Sequence, residues 1–411
     1  MKYSRFLTDT LRRRMQFFPV VLLVGPRQSG KTTLAKYLGQ GSHLAYTSFD
    51  DINNLARVQL DPVVYLQQLE KPAILDEVQR APEIFLPIKM DVDNNRIAGR
   101  YLLTGSANPL VVPRLGDSLA GRMALCNLWP LSQGELLGVQ ETFLAAVFSD
   151  EPWTIKQLPP LSQKELIAKL FTGGFPPLVH ATTDEDRKTW CNNYLSLTLQ
   201  KDINDLAKIE GFAHLPALLY GLAARVGATL NIEELARLTK TASTTLRRYL
   251  QLLESLFLIH KILPWSPRID SRLTRSPKVY FVDTALLLHV FNLTSEQLQA
   301  NLQVFGHVLE NFVVMELVKQ ASWHKLTPSL YHYRQEQGIE VDLIIETQEK
   351  VIGIEIKLSS VVRSEDLKGF NFLKAHAKEK FFKGIVLYMG DKILPFGDKM
   401  WAVPLNALWS M

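Results

Sequence analysis

The sequence contains few cysteines and no long apolar run. Only Cys126 and Cys191 occur among its 411 residues, and they form neither a zinc-type pattern nor a disulfide framework, so we expect a reducing compartment. No apolar run reaches the ~18 to 20 residues that a membrane span requires. Hydrophobic residues make up 47% and charged residues 21% of the chain, which is typical of a folded protein. We therefore predict a cytoplasmic protein without a membrane partner.

The length of the chain and the distribution of its charge indicate several domains. A chain of 411 residues is too long for one ordinary core, and we predict domains at residues 1–150, 151–300 and 301–411. The net charge of +5 is unevenly spread, since 14 Lys and Arg face 7 Asp and Glu between Arg187 and Tyr280. The middle of the chain is thus its basic part, and nucleic acid is the partner class that this favours. An ordinary solvated surface is the alternative.

The segment "VVLLVGPRQSGKTTLAKYL" begins as a buried strand and ends as a helix. Between the two lies Gly25-x4-Gly30-Lys31-Thr32, the strand–loop–helix context of a P-loop. Backbone N–H groups of such a loop surround phosphates, the lysine reaches the β- and γ-phosphates, and the threonine hydroxyl ligates Mg²⁺. ATP and Mg²⁺ are therefore the predicted cofactors. The predicted nucleotide-binding residues in this loop are Gly25, Pro26, Arg27, Gln28, Ser29, Gly30, Lys31, Thr32 and Thr33.

Two further strands are predicted to bring polar residues to the same sheet edge. "KPAILDEVQ" ends in Asp76, the expected metal-side acid, and Glu77, the expected base or positioner of the attacking water. Open α/β sheets place their ligands at this carboxyl end. The strand in "GRYLLTGSAN" ends in Thr104, Ser106 and Asn108, which either sense the γ-phosphate or are ordinary turn residues.

An arginine is also expected at the phosphate site. Arg122 in "SLAGRMALCNLWPLSQGE" is the first choice and Arg114 the competing one. Such an arginine acts either in cis or from a neighbouring subunit. Action from a neighbour would require a homo-oligomer.

These motifs resemble the AAA-type ATPases of a prokaryotic family that joins a P-loop domain to a C-terminal region of unknown function. The segments that carry the resemblance are "GPRQSGKTT", "LDEVQ", "LTGSAN" and "LAGR…LWPLSQGE", followed by "GGFPPL" and "LQKDI". The resemblance covers nearly the whole chain. It implies a P-loop NTPase fold with a parallel sheet and ATP binding, but it does not imply a particular biological role. The glycines and prolines of "GGFPPL" are expected to form a structural turn.

The basic middle is predicted to contain a winged helix-turn-helix. "TLNIEELARLTKTASTTLRRYLQLLESLFLIHKI" indicates two amphipathic helices around a turn. The second helix would turn Thr244, Arg247 and Arg248 away from the core, where they suit phosphate and base-edge contacts. "PWSPRIDSRLTRSPKVYFVD" would supply an extended basic ribbon as a wing. A helical protein–protein module is the alternative.

Near the C-terminus, "IEVDLIIETQEKVIGIEIK" indicates a strand hairpin with a four-residue loop. Such a loop pairs Glu346 with Val351 and places Asp342 opposite Glu355. Residues directly opposite have Cβ atoms about 4.5–5.5 Å apart, and like charges there repel. A divalent metal held by both carboxylates would offset this repulsion.

Other residues complete this acidic site. Glu355 and Lys357 are two apart and share a face, and the lysine could stabilise developing oxyanion charge. Upstream, the helix "GHVLENFVVMELVKQ" carries Glu310 on a partly apolar face. A carboxylate on such a face is costly unless it has a partner, and metal binding would supply one. Glu316 is the alternative.

Together, Glu310, Asp342, Glu355 and Lys357 resemble the PD-(D/E)xK nuclease core, although the usual proline before the first strand acid is absent. The resemblance implies an α/β restriction-endonuclease-like domain. We therefore predict an α/β multidomain protein that hydrolyses ATP, associates with nucleic acid, for which DNA is the expected form, and carries a Mg²⁺-dependent nuclease-like domain. A nucleotide-dependent switch with an inert nuclease-like fold is the alternative. The predicted metal ligands are Thr32, Asp76, Glu310, Asp342 and Glu355.

Overall fold

A computed structural model describes residues 2–42, 44–106, 119–151, 153–202, 214–335 and 338–411 of the chain. Within these ranges the named strands form one sheet of five strands and one of nine. Asn108 and Arg114 lie outside the described residues, as does the end of the "LQKDI" segment.

The N-terminal sheet is entirely parallel and has the order β2-β3-β4-β1-β5. Every residue of β1, β3 and β4 is buried, as expected for parallel strands covered on both faces. The parallel sheet predicted for the P-loop domain is thus confirmed. Its strands are β1 Val20–Val24, β2 Ala45–Ser48, β3 Ala73–Asp76, β4 Tyr101–Gly105 and β5 Met123–Asn127.

Helices pack on both faces of this sheet. Successive strand residues point to opposite faces, so Leu22 lies in one buried apolar cluster and Leu23 in another. The P-loop connects the end of β1 directly to the first residue of a helix at Lys31. The helices of this part are α1 Leu7–Met15, α2 Lys31–Ser42, α3 Ile52–Leu60, α4 Pro62–Gln68 and α5 Phe85–Asn94.

The segment after β5 leads to a helical middle. A capping box fixes the start of its first helix, because Ser132 and Glu135 each accept a hydrogen bond from the other's backbone N–H. The elements up to the hairpin of the middle part are α6 Gln133–Leu137, α7 Phe143–Phe148, β6 Lys156–Gln157, α8 Gln163–Thr172, α9 Pro176–His180, α10 Asp184–Leu197, a π-helical turn Thr198–Asp202, α11 Leu215–Ala223, α12 Ile232–Thr239 and α13 Ser243–Ser255.

The nine-stranded sheet joins the middle of the chain to the C-terminal part. Its order is β6-β13-β14-β12-β11-β10-β9-β7-β8, and β7 pairs in parallel with β9 at Leu263 and Tyr331. The strands are β7 Ile259–Pro264, β8 Lys278–Phe281, β9 Ser329–Arg334, β10 Glu340–Glu346, β11 Val351–Ile356, β12 Phe381–Tyr388, β13 Lys392–Pro395 and β14 Met400–Pro404.

The segment predicted as an extended wing differs from that expectation. A short helix, α14 Ile269–Thr274, lies between β7 and β8. Its Arg272 donates to both carboxylate oxygens of Glu346 on β10. This ion pair holds α14 against the sheet, and only β7 and β8 of the predicted wing are extended strands.

One long helix lies between the P-loop part and the nine-stranded sheet. This helix, α17, spans Leu302–Trp323 and is buried along most of its length, including the charged residues Glu310, Glu316 and Lys319. Among the described residues, no helix is long and apolar enough to cross a membrane. The remaining helices are α15 Thr284–Phe291, α16 Ser295–Ala300, α18 Lys368–Ala377 and α19 Ala407–Ser410.

Candidate functional site

The P-loop has the backbone shape of a phosphate cradle. A Cβ at Gly25 would lie 2.2 Å from the carbonyl oxygen of Leu128, and Gly30 has a φ of +98°, so both positions require glycine. The buried Lys31 donates from Nζ to the carbonyl oxygens of Gly25 (3.0 Å) and Pro26 (2.8 Å). The loop thus holds its lysine at the N-terminal end of α2, an arrangement that binds phosphate.

The acid at the end of β3 lies beside the P-loop hydroxyl. Thr32 Oγ1 is 3.0 and 3.1 Å from the two carboxylate oxygens of Asp76. Tyr46 OH donates to Asp76 Oδ2 at 2.7 Å, and Thr104 Oγ1 also hydrogen-bonds this carboxylate. Hydroxyl and carboxylate oxygens are ligands that Mg²⁺ prefers, so Thr32 and Asp76 fit the expected cation. Sequence reasoning missed Tyr46, whose only signal is its position on the strand next to β3.

Glu77 is held by a network at the same sheet edge. Its backbone has a φ of +60°, and its N–H donates to Thr104 Oγ1 at 3.3 Å. Gln79 Nε2 contacts the Glu77 carboxylate and donates to Ser106 Oγ at 2.9 Å. The structure therefore links the expected base to the expected γ-phosphate sensor through Gln79. Gln79 was not among the predicted site residues.

Arg122 does not lie at the phosphate site of its own chain. It precedes β5, its carbonyl oxygen accepts from Val20 N at the start of β1, and its guanidinium pairs with Asp93. The P-loop follows the other end of β1, a strand of five residues, or about 16 Å at ~3.3 Å per residue. The structure contradicts the first of the two alternatives, action in cis, because a residue before a parallel strand lies at the edge opposite the ligands. Action in trans stays a prediction.

A pocket of about 600 Å³ opens in front of the P-loop, a size that suits a small ligand or cofactor. Two pairs of stacked rings lie along its wall, Tyr3 with His180 at 5.7 Å and Trp190 with Tyr194 at 4.8 Å. Trp190 Nε1 also donates to the P-loop side chain of Gln28 at 2.9 Å. The pocket thus has a phosphate-binding end and aromatic walls. Its other lining residues include Arg5, Arg27, Ser29, Gly30, Lys31, Thr32, Thr33, Glu77, Pro176 and Pro177.

The "GGFPPL" turn connects this pocket to the rest of the chain. Gly174 O accepts from Leu131 N at 2.8 Å, and Gly174 N donates to the buried Asp283 at 2.7 Å. A Cβ at Gly173 would lie 2.2 Å from Asp283 Oδ1, and the residue has a φ of +63°. The turn has the structural role expected of it, and its two prolines also line the pocket.

A second group of predicted site residues lies on the C-terminal hairpin. Glu346 pairs with Val351 and Leu343 with Ile354, which confirms the predicted register. Continuing this ladder by one step places Asp342 opposite Glu355. Asp342 Oδ2 accepts from Ile356 N at 2.8 Å, so its carboxylate is held against the backbone of β11.

Lys278 supplies positive charge that the sequence analysis did not identify. Its side chain is fully buried, and Nζ lies 2.8 Å from Glu310 Oε1 and 2.7 Å from Glu340 Oε1. Tyr280 OH donates to Glu310 Oε1 at 2.7 Å. Burial alone would lower the pKa of Lys278, but the nearby carboxylates outweigh burial and raise it. The lysine therefore stays charged between two acids.

Glu310 contacts Lys278 and Tyr280, and the backbone at Gly227 lies close to its carboxylate. A Cβ at Gly227 would lie 2.7 Å from Glu310 Oε2, so the backbone of Gly227 packs directly on this carboxylate.

In the part of the chain that the structure describes, no three His, Cys, Asp or Glu side chains form a group that could hold a metal ion. The structure therefore does not assemble the three-carboxylate site predicted from the sequence, and Asp342 and Glu355 remain as a pair.

Glu316, the alternative, is farther along α17. Its Oε1 pairs with Lys319 Nζ at 2.6 Å and its Oε2 accepts from Gln133 N at 2.9 Å. It thus contacts the segment after β5 and takes no part in the hairpin site.

The pKa values of the two hairpin carboxyls, Asp342 and Glu355, are raised well above their usual range. Burial, with the charge of Glu310 second, raises the pKa of Asp342 to about 7. Burial, with the charge of Asp342 second, raises the pKa of Glu355 to about 8. Lys357 Nζ lies 2.8 Å from Glu355 Oε1 and 3.5 Å from Asp366 Oδ1. Burial and mutual repulsion thus oppose two negative charges on this pair, and its oxygen donors suit a hard divalent cation.

The helix predicted to face nucleic acid presents a polar, basic surface. Thr244, Arg247 and Arg248 on α13 are exposed, whereas Leu246 and Leu250 on the same helix are buried. The predicted division between an inward and an outward face is confirmed for this helix.

Three segments of the chain match models of known protein families. Residues 18–137 match the model of an AAA domain, residues 163–297 the domain of unknown function DUF8612, and residues 305–408 the domain of unknown function DUF4143. Together with the parallel sheet and the P-loop geometry, the first match identifies an AAA-type P-loop ATPase domain.

Two relatives are similar to this chain over most of its length. The chain is 30% identical over 401 residues to the uncharacterized protein Rv2008c of Mycobacterium tuberculosis, covering 97% of this chain and 82% of that protein. An uncharacterized Haemophilus influenzae protein is 26% identical, with 73% and 74% covered. The chain belongs to the same family as the mycobacterial protein. Among solved structures, the Walker-type ATPase of Pyrococcus abyssi is 13% identical, with 69% of this chain and 94% of that one covered and a TM-score of 0.42.

Proposed function

We propose that the chain hydrolyses ATP with Mg²⁺ and that this activity serves a nucleic-acid-associated protein with a metal-dependent nuclease-like site. The observation that carries the ATPase proposal is the position of Lys31, Thr32 and Glu77 around one pocket of about 600 Å³. Lys31 would bind the β- and γ-phosphates, and Glu77 would orient the attacking water. Mg²⁺, held by Thr32 and Asp76, would neutralise charge on the phosphates.

The aromatic wall of the pocket suits the base of the nucleotide. Tyr3 and His180 form a stacked pair beside Pro176 and Pro177. Flat apolar and aromatic surfaces bind a purine by stacking and by burying its faces. This end of the pocket accounts for a nucleotide better than for a simple phosphate.

Association with nucleic acid is supported by α12, α13 and the β7–β8 pair. Two helices followed by an antiparallel strand pair occur in winged helix-turn-helix domains, which place the second helix against DNA. Arg247 and Arg248 project from that helix. If both contact phosphates, the double alanine variant should weaken DNA binding and reduce the slope of log K against log salt by about 1.8. An Arg12→Ala variant in the exposed pair with Asp9 is the control, and an unchanged slope would exclude phosphate contacts by these arginines.

The nuclease-like proposal rests on Asp342 opposite Glu355 with Lys357 beside them. A divalent cation held by the two carboxylates would polarise a scissile phosphate. Lys357 stays positively charged, since the neighbouring Glu355 outweighs burial and raises the pKa of Lys357. Its ammonium would stabilise charge that develops on the phosphate oxygens.

The position of Lys278 favours a second candidate. An ammonium between Glu310 and Glu340 already neutralises part of the acidic cluster, which a fold without turnover would need for stability. The chain would then be a nucleotide-dependent switch or scaffold with an inert nuclease-like domain. Calorimetric titration with Mn²⁺ separates the two candidates, because the scaffold predicts no binding that depends on Asp342.

Purified protein incubated with plasmid and oligonucleotide substrates, with and without ATP and Mn²⁺, tests cleavage directly. Asp342→Asn is the informative variant, because an amide oxygen can still accept from Ile356 N while the negative charge is removed. Asp398→Asn is the matched control, since Asp398 is an exposed residue of the same part of the chain that pairs with Lys374.

The nuclease proposal expects Mn²⁺-dependent cleavage by the wild type and by Asp398→Asn, but not by Asp342→Asn. ATP turnover should be the same in all three proteins. Equal cleavage by wild type and Asp342→Asn would end the nuclease proposal and leave the ATPase proposal intact.

A further inference from the structure

Arg5 reaches the P-loop from the segment before α1, outside the part that matches the AAA domain model. Arg5 is 6% exposed, and all three nitrogens of its guanidinium group donate hydrogen bonds. Nη1 donates to Ser29 O at 2.7 Å, Nη2 to Trp129 O at 2.6 Å, and Nε to Glu135 Oε1 at 3.0 Å. One guanidinium thus connects the P-loop to the segment after β5.

The carboxylate partner is itself held in place. Glu135 Oε1 also accepts from Phe6 N at 2.8 Å, and Oε2 accepts from Ser132 N at 3.1 Å. Burying a charged pair carries a desolvation penalty that is offset only by close geometry and additional hydrogen bonds. The Arg5–Glu135 pair meets both conditions, so the guanidinium has one well-defined orientation.

This orientation matters because of the carbonyl that Arg5 binds. The C=O and N–H of a planar trans peptide point in opposite directions. Holding Ser29 O therefore also fixes the direction of the Gly30 N–H, one residue before Lys31 and the start of α2. Backbone N–H groups at this point of a P-loop contact phosphate.

We propose that Arg5 is a positioning residue for the nucleotide phosphates, acting through the Ser29–Gly30 peptide. The inference rests on the proposed ATP hydrolysis. This role differs from the phosphate contact expected of Arg122, because Arg5 holds the Ser29 carbonyl of the P-loop wall. A lysine cannot replace it, because an ammonium is a single point donor whereas the guanidinium forks to Ser29 and Trp129.

The test compares wild type, Arg5→Lys, Arg5→Ala and Arg12→Lys in steady-state ATP hydrolysis, with unfolding temperatures measured without nucleotide. Arg12 lies on α1 in an exposed pair with Asp9 and serves as the control. Misplacing a binding group by about 1 Å can cost on the order of 10²-fold, so Arg5→Lys should lose about that factor in kcat/KM while Arg12→Lys matches wild type. Added guanidinium ion should restore part of the activity of Arg5→Ala and have no effect on wild type.

Wild-type kcat and KM in Arg5→Lys would overturn the inference. A lower unfolding temperature with unchanged kcat/KM would also overturn it, since Arg5 would then be only a structural link. If Arg5→Ala does not fold, Glu135→Gln keeps Arg5 and weakens its anchor. A rise in KM for ATP in Glu135→Gln would support the inference, and an unchanged KM would contradict it. Failure of the wild type to hydrolyse ATP would instead reject the proposed function, and the inference with it.

Discussion

Replacing Lys278 by methionine should destabilise the protein strongly. Methionine has a similar length but no charge, so Glu310 and Glu340 would lose the ammonium that lies 2.8 and 2.7 Å from them. The side chain of Lys278 is fully buried and Glu310 is 9% exposed, so water cannot replace the partner that Glu310 loses, whereas the Glu340 side chain is 30% exposed. Removing one member of a buried ion pair costs about 3–5 kcal/mol, and we take ~4 kcal/mol for this variant.

Urea unfolding followed by tryptophan fluorescence measures the change. With a slope near ~3 kcal/mol per molar urea, ~4 kcal/mol moves the midpoint by about 1.3 M. Lys261→Met is the matched control on the neighbouring strand. Lys261 lies 2.7 Å from Glu254, but the two side chains are 19% and 38% exposed, so the loss should stay below about 1 kcal/mol.

A double variant shows whether the lost charge pair is the cause. In Lys278→Met with Glu310→Gln, the charges of the Lys278–Glu310 pair are removed, the partly exposed Glu340 stays charged, and the amide oxygen can still accept from Tyr280 OH. Replacing both members of a buried pair is much less costly than replacing one, so the double variant should recover a large part of the lost free energy. A shift in Lys278→Met no larger than in the Lys261 control, or no recovery in the double variant, would refute the reasoning.

Three other predictions concern single residues. Lys31→Ala should lose the ~2.7 kcal/mol of stabilisation that a ligand provides at about 100 times its Kd, and unchanged ATP affinity by calorimetry would overturn the P-loop assignment. Glu77→Gln should bind ATP as tightly as wild type but hydrolyse it ~10²- to 10⁴-fold more slowly; equal turnover would remove Glu77 from the mechanism. Burial raises the pKa of Glu141 from 4.5 to about 8, so the folded state binds more protons than the unfolded state in this range and the wild type should lose stability as pH rises through it. Glu141→Gln should therefore exceed wild type in unfolding free energy at pH 8 but not at pH 4.5, and parallel pH profiles would contradict this.

The features that the sequence predicts well are those with local causes. The P-loop depends on glycines a few residues apart and on the adjoining strand and helix. The register of the C-terminal hairpin follows from its four-residue loop, so the sequence alone predicts that Asp342 lies opposite Glu355.

The features that could not be predicted depend on residues far apart in the chain. Lys278 and Glu310 are 32 positions apart, and Arg5 and Glu135 are 130 apart. No periodicity or spacing in one segment reveals that such residues will meet, because their contact depends on how the helices and sheets pack. The choice between action of Arg122 in cis and in trans also depended on packing, since the place of Arg122 before β5 follows from the direction of a parallel strand.

The main-chain pairing of β7 with β9 has a mechanical consequence. The helix that carries Arg247 and Arg248 runs into β7, and the hairpin that carries Asp342 and Glu355 begins one strand beyond β9 in the sheet. If nucleic acid binds to the arginines, as proposed, the continuous sheet would hold the arginines and the acids in one frame. Under the same proposal, ATP would control access to the acids, because moving the acids relative to the arginines would break backbone hydrogen bonds between the strands.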